Sequence, residues 1–339
     1  MKVLFGTAIR IAQALGLDRL GPDQTEPVFD NQALIEREVE KRVWSYLCCQ
    51  DWFGAGTVNG ITTPTIFPIH MNTPMPANCP ERLGDTILWG RINNLALEYA
   101  TQSTYQIMMY KLAIIMQDFH MKTWDMQPDS KDFLFEVLTA DGRINGLFDT
   151  APIFLTRDLE PEDSRSPPER SQSRMFKMCV AHKLLVIHQA LFLSSFKNEV
   201  YTYTRQSCLR HSKSILREYT SKPEWEDEAW SISLHVTMAA AVFSCIVFDS
   251  FEPCFPSDLQ ATPGILADVN ARQLLLNTRD KFCRASAKRG GTMAVKCIEL
   301  LEQLTRLLDE HRTFGGPVAG SDVSDIPSLI IARVGAGRR

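Results

Sequence analysis

The sequence predicts an all-α fold, a multi-helix domain interrupted by long irregular loops. Apolar residues recur with helical spacing over most of its 339 residues. No βαβ alternation and no internal repeat is visible, and stretches rich in proline and glycine separate the periodic ones. With 45% hydrophobic residues, the chain can bury a substantial core.

The elements follow in order. Phe5, Ala8, Ala12 and Leu15 share one helical face, with Gly16 as a stop. A second helix starts at a cap on Asp30 or Asn31 and runs to about Trp52. Its expected buried stripe is Ile35, Val39, Val43, Tyr46 and Leu47, with Glu36, Glu40 and Lys41 on the wet side. From Gly54 to Pro80, the prolines at 64, 68, 74, 76 and 80 forbid regular helix, so an extended path is expected. Helices are then expected over Leu83–Met121, Phe176–Phe196, Tyr203–Tyr219, Trp230–Phe248, Leu266–Ala287 and Met293–His311. The last carries Ile298, Leu301, Leu304, Leu307 and Leu308, a stripe whose spacing could serve a partner helix but is expected to pack onto its own bundle. Residues 158–170 are charged and proline-containing and are expected as a mobile loop. The expected division is one domain over 1–311 and a glycine-rich flexible tail over 312–339.

Charge and cysteine usage narrow the chemistry. Lysine and arginine total 36 against 40 acidic residues, and no local basic patch stands out, so DNA binding by this chain alone is not expected. Nine cysteines are scattered without a CxxC pair, as expected of reduced intracellular thiols, and no metal ligand set is nominated. The N-terminal apolar run is broken by Arg10 and Gln13, unlike a signal peptide. Ile232–Phe248 is the one transmembrane candidate, and His235 with several small residues makes it a buried central helix instead. No membrane partner is expected.

A search for catalytic patterns gives nothing that names an enzyme. Gly54-Ala-Gly56 through Gly60 follows a helix, not a strand, and its third glycine is one residue late for a dinucleotide loop. There is no GxSxG elbow, lysine-bearing phosphate loop or HExxH helix. His182 and His188 lie six apart, on different sides of a helix, so both are read as ordinary satisfied histidines. The acidic cluster Glu224, Glu226, Asp227 and Glu228 precedes a helix, where it complements the positive dipole end. Catalytic and metal-ligating residues are therefore expected to be none, and cofactor-binding residues remain unassigned.

Four motifs in sequence nevertheless point to a family. Ala8-Ile-Arg-Ile-Ala-Gln-Ala-Leu-Gly-Leu17 resembles the A-x-R-x-A-x-x-L-G-L signature of the middle homology region in fungal binuclear-zinc-cluster transcription factors. Glu36–Trp52 resembles the same family's charged helix, with Glu40, Lys41, Arg42, Trp44 and Asp51 on its E, R, R, W and D positions. There, Trp44 is expected in the core, and Arg42 and Asp51, nine apart, would meet through a fold-back or find other partners. Gly60-Ile-Thr replaces the family's Gly-Arg-Pro, while Pro74-Met-Pro76-Ala-Asn78 matches its P-x-P-x-N. His188, Tyr203-Thr-Arg205 and Cys208 to Leu216 follow its I-H-R and Y-S-R-x-x-C-L runs, with Gln189 for arginine and Thr204 for serine. The resemblance covers about Phe5 to Tyr219.

The resemblance implies a regulatory domain acting in the nucleus on RNA polymerase II promoters. In the family, DNA is read by a six-cysteine cluster holding two zinc ions, which is not in this sequence; zinc is therefore expected only in that module. DNA would be reached through the missing module or a partner protein, with the transcription machinery or a co-regulator as further partners and a small-molecule inducer as a possible ligand. The apolar first helix, which starts at the first residues, raises the expectation that the chain is shortened at its N-terminus. The alternative is a natural regulator without its own DNA reader. A reading from another class is a small-molecule-binding helical domain or cryptic helical enzyme with an apolar pocket, for which a ligand-dependent rise in melting temperature is the discriminating observation.

Overall fold

The computed structural model describes residues 2–55, 64–158, 167–221, 230–251 and 270–287, together with 298, 299, 302, 303 and 306. The fold is predominantly helical, as the periodicity predicts, with nine α-helices and one two-stranded antiparallel sheet among the described residues. The chain forms two compact units. The first comprises residues 1–127 and 135–177, the second 128–134 and 178–339.

In the first unit, α1 (Lys2–Ala14) turns Ile9 and Ala12 inward, and Leu17 follows them beyond the helix end. They join Trp44, Leu47, Cys48, Cys49 and Trp52 of α2 (Asn31–Gly54) and Tyr110 and Ala113 of α3 (Gln102–Thr123) in one core cluster. The expected face of α1 is borne out at Ala12, which is buried, and Phe5, which packs on the core, but not at Ala8, which is exposed, or Leu15, which is 70% exposed. The helix is apolar on two sides, so periodicity alone does not choose between them.

Asp30 caps α2 as expected, its carboxylate accepting from the amides of Gln32 and Ala33 at 3.0 and 3.1 Å. The expected buried stripe holds at Leu47, which is buried, and Ile35, which packs against Ala77, Cys79 and Leu83, and is corrected at the other three positions. Val39, Val43 and Tyr46 are exposed, whereas Glu38, Lys41, Trp44, Ser45, Cys48 and Trp52 form the inner face. The core side of this helix carries ion pairs, which a hydrophobicity count assigns to solvent. Trp52 stacks on Tyr110 with centroids 5.8 Å apart and donates from Nε1 to the Ile66 carbonyl at 2.9 Å.

The helix expected over Leu83–Met121 begins only at Gln102, where Thr101 and Thr104 form a capping box. Before it come a 3₁₀ turn at Leu83–Thr86 and the hairpin β1 (Ile87–Leu88) and β2 (Arg91–Ile92). Trp89 and Gly90 make its two-residue turn with φ of 52° and 70°, the paired left-handed conformation that helix cannot contain. A side chain at Gly90 would meet the Val28 carbonyl at 2.9 Å and the Pro27 Cβ at 3.0 Å. Gly90→Ala is accordingly expected to lower stability by about 2 kcal/mol in urea titration, combining strained φ and backbone overlap.

Helix α4 (Lys131–Asp149) was not expected from the sequence, although Phe133, Val137, Ala140 and Ile144 are buried at helical spacing. A short turn of helix, α5 (Ile153–Thr156), leads toward α6 (Pro167–Phe192), which begins nine residues before the expected Phe176. Of the mobile loop expected over 158–170, residues 167–170 form the first turn of α6, where proline lacks no bond it would otherwise make. Residues 159–166 lie outside the described residues. Helices α4 and α6 contribute residues to both units.

The second unit contains the rest of α6, 3₁₀ turns at Ser194–Phe196 and Glu199–Tyr201, α7 (Thr202–Thr220), α8 (Trp230–Phe251) and α9 (Asn270–Ala287). α7 packs on α8 and on α9. Its inner face carries Thr204, Cys208, Ser212, Ile215 and Tyr219, and α8 is apolar nearly all round, with Val236, Ala239, Ala240, Phe243 and Ile246 buried. Lys281 of α9 lies 4.8 Å from the Tyr219 ring centroid and donates to the Tyr219 carbonyl. Of the last expected helix, the five described residues are helical, while Leu301, Leu304, Leu307 and Leu308 lie outside the described residues. So do residues 312–339.

The transmembrane expectation also shifts. By length and composition Glu169–Phe192 of α6, not the shorter Ile232–Val247, is the described helix apolar enough to cross a membrane, and 72% of its most apolar stretch is buried inside the protein.

Candidate functional site

The motif residues of the second helix converge on a buried charge network. Glu38 is fully buried one turn before Lys41 and Arg42. Its Oε2 lies 2.8 Å from Lys41 Nζ, while Oε1 accepts from Arg42 Nε at 3.2 Å and from the Ala77 amide at 2.9 Å. Arg42 continues to Cys79, donating to Sγ at 3.0 Å, and Lys41 reaches Asp23 at 3.3 Å. Arg37 donates to the carbonyls of Leu20, Gly21 and Pro22. Both ends of this network therefore pin irregular chain to α2: residues 20–23 on one side, 77–79 on the other.

Asn78 is a second hub. Its Nδ2 donates to the carbonyls of Ala96 and Tyr99, and its Oδ1 accepts from the hydroxyls of Thr101 and Thr104 at 2.6 and 2.7 Å. The proline-stiffened strap is thereby tied to the N-terminus of α3. Thr73 of the same strap donates to the Leu17 carbonyl and accepts from the Leu20 amide, fixing the exit of α1. Asp51 accepts from the amides of Thr65 and Ile66, both at 2.7 Å; burial pushes its carboxyl up, opposed by those two bonds.

One expectation is settled by this geometry. Arg42 does not meet Asp51; it pairs with Glu38 four residues back. The acidic partner in the network is Glu38, at i, i+3 and i+4 spacing to Lys41 and Arg42, a role the sequence reading did not assign. Trp44 is buried, as expected.

In the second unit the histidines have different settings. His188 Nδ1 lies 3.2 Å from Thr204 Oγ1, so the I-H-R and Y-S-R stretches touch through a hydroxyl that serine would equally supply. Arg205 sits over the Phe196 ring, 5.8 Å from its centroid. His182 stacks on His235 of α8 with centroids 3.9 Å apart, a pairing across 53 positions that sequence could not show. Burial, and secondarily the charge of Lys183, push the His235 imidazole down to about 3.

Chemically the arrangement is quiet. Among the described residues no group of three His, Cys, Asp or Glu could hold a metal ion. Burial pushes the thiols of Cys48, Cys79 and Cys179 up, which disfavours the nucleophilic thiolate. The glycines from Gly56 to Gly60 and the acidic cluster at 224–228 lie outside the described residues. The networks around Glu38 and Asn78 are connectors of chain segments, and Lys41, Arg42 and Asn78 of the motifs take part in them.

The chain is similar to fungal transcription factors. It is 24% identical over 221 residues to the agnestins biosynthesis cluster transcription factor of Paecilomyces divaricatus, covering 63% of this chain and 31% of that protein. It is also 24% identical over 236 residues to lepB of Aspergillus flavus, named as a probable transcription factor, covering 63% of this chain and 40% of the relative. The chain thus spans less than half the length of these curated relatives. No family model matches it, and no solved structure matches it.

Proposed function

We propose that this chain is the regulatory, middle homology domain of a fungal binuclear-zinc-cluster transcription factor, controlling RNA polymerase II transcription in the nucleus. Sequence-specific DNA reading is supplied by a zinc-cluster module or partner protein outside this chain, and zinc belongs to that module. The domain acts by binding other molecules and not by turnover.

The observation that carries this reading is the use to which the motif residues are put. Lys41, Arg42, Asp51 and Asn78, separated by up to 37 positions, each fasten an irregular segment onto α2 or α3. Polar residues that fasten the chain in this way fit a resemblance spread over several motifs. The similarity to two proteins named as transcription factors supports the same conclusion.

The test is tethering. The chain is fused to a heterologous sequence-specific DNA-binding domain in a fungal reporter strain, alone and with an activation segment attached. Reporter output is expected to change in at least one of the two contexts. Output unchanged in both, with the fusion shown to be nuclear and folded, overturns the regulatory reading. In a gel shift with the purified chain, no sequence-specific complex is expected at physiological salt, and a tight one would overturn the assignment of DNA reading to another module.

A further inference from the structure

Ser221 caps the C-terminal end of α7 and is exposed. Its amide donates to the Arg217 carbonyl at 2.9 Å, and its hydroxyl donates to the Glu218 carbonyl at 3.2 Å. The Oγ thus stands at the surface, held by a bond within its own helix. In the sequence Ser221 is followed by Glu224, Glu226, Asp227 and Glu228, at three, five, six and seven positions on, against the single cation Lys222. Of all the serines and threonines in the chain, only Ser166 and Ser221 have an acidic residue three positions on. Ser166 is followed directly by Pro167, and its acid, Glu169, by Arg170. A serine trailed by a run of carboxylates is complementary to a kinase whose substrate groove is basic, and such complementarity selects one hydroxyl among many. The four acids lie outside the described residues, and it is their order and charge that select the serine.

We propose that Ser221 is a phosphorylation site for an acid-directed serine kinase, and that the phosphate frees the last turn of α7 from α9. In the transfer, Ser221 Oγ attacks the γ-phosphorus of ATP and its proton passes to the kinase's base. The bond from the γ-phosphorus to the β-phosphate oxygen breaks, and ADP leaves. The phosphate brings a charge of about −1.5 to −2 to the helix end that already carries the negative pole of the dipole. The hydroxyl that donated to the Glu218 carbonyl becomes an ester oxygen with no hydrogen to give, and the Glu218 side chain has the same sign as the phosphate. Arg217 is the basic residue of that turn, where it complements the carbonyl end; a phosphate four residues on draws its guanidinium away. The same turn is where α7 is held to α9. Tyr219 is 1% exposed, its carbonyl accepts from Lys281, and its ring lies 6.2 Å from that of Phe282. Melting the turn loosens this packing, so a modification at the surface is felt in the core of the second unit.

The test treats the full chain with a purified acid-directed serine kinase of the casein-phosphorylating type, with ATP and magnesium, and maps phosphate by peptide mass spectrometry. Phosphate is expected on Ser221, and the double change Glu224→Gln with Glu226→Gln is expected to slow its incorporation about tenfold. Ser221→Ala is expected to remove phosphate from that peptide while keeping the parent's melting temperature, because the side chain is exposed. In the phosphorylated chain, amide hydrogen exchange at residues 216–221 and 279–283 is expected to be about tenfold faster than in the unmodified chain. Ser221→Ala carried through the same kinase treatment is expected to show no such change. A full chain that takes up no phosphate at Ser221 overturns the site. Uptake indifferent to the two glutamines overturns recognition by charge, and unchanged exchange after modification overturns the release of α7 from α9.

Discussion

Glu38→Gln is expected to cost the first unit about 3 kcal/mol or more, the usual loss when one member of a buried ion pair is neutralised. Glutamine preserves the shape of the side chain and can still accept from the Ala77 amide. It removes the negative charge from between Lys41 and Arg42, which are 6% and 17% exposed at the side chain. Lys41 keeps Asp23, but that carboxylate is 57% exposed, where a pair contributes little. The measurement is the urea midpoint at constant slope, read from tryptophan fluorescence, since Trp44 and Trp52 lie on the same helix. A loss below about 1 kcal/mol would show that the network is not what holds residues 77–79 to α2. A triple change of Glu38, Lys41 and Arg42 to apolar residues of similar volume is expected to recover much of the loss, because the cost lies in the stranded charges and not in the missing contact.

The same network explains where sequence reading succeeded and failed. Long amphipathic or wholly apolar stretches such as α7 and α8 were legible, because their buried faces are apolar or carry small uncharged polar residues for the most part. The inner face of α2 was not, because Glu38 and Lys41 occupy positions a hydrophobicity pattern assigns to solvent. The hairpin at 87–92 was hidden because Trp89 takes a left-handed conformation that its residue type does not announce. For α4 the signal was present, with Phe133, Val137, Ala140 and Ile144 on one stripe, but Gly142 and Gly146 broke the pattern of good helix formers. The family motifs were legible as strings. Their physical content, hydrogen bonds between residues tens of positions apart, was not.

Acid is expected to weaken the second unit through His235, and the sign follows from its surroundings. The imidazole is buried against His182 and near the Lys183 ammonium, so its proton affinity in the folded protein falls from the ordinary 6.5 to about 3. The unfolded chain therefore binds a proton that the folded one refuses anywhere between those two values. The stabilising effect of keeping His235 neutral is complete above pH 6.5 and is lost as the pH falls toward 3, at up to about 1.4 kcal/mol per pH unit. Over the whole window this reaches a few kcal/mol. Carboxylates elsewhere also respond to acid, so the decisive comparison is the parent against His235→Leu, a change of similar volume in an apolar helix. Urea titrations at about pH 7.5, 5.5 and 4.5 are expected to show the variant losing distinctly less stability per pH unit than the parent. Equal slopes would mean that His235 takes up its proton in the folded state, which requires the stack on His182 to open. In that case aromatic packing, and not the neutral imidazole, is what α8 draws from this position.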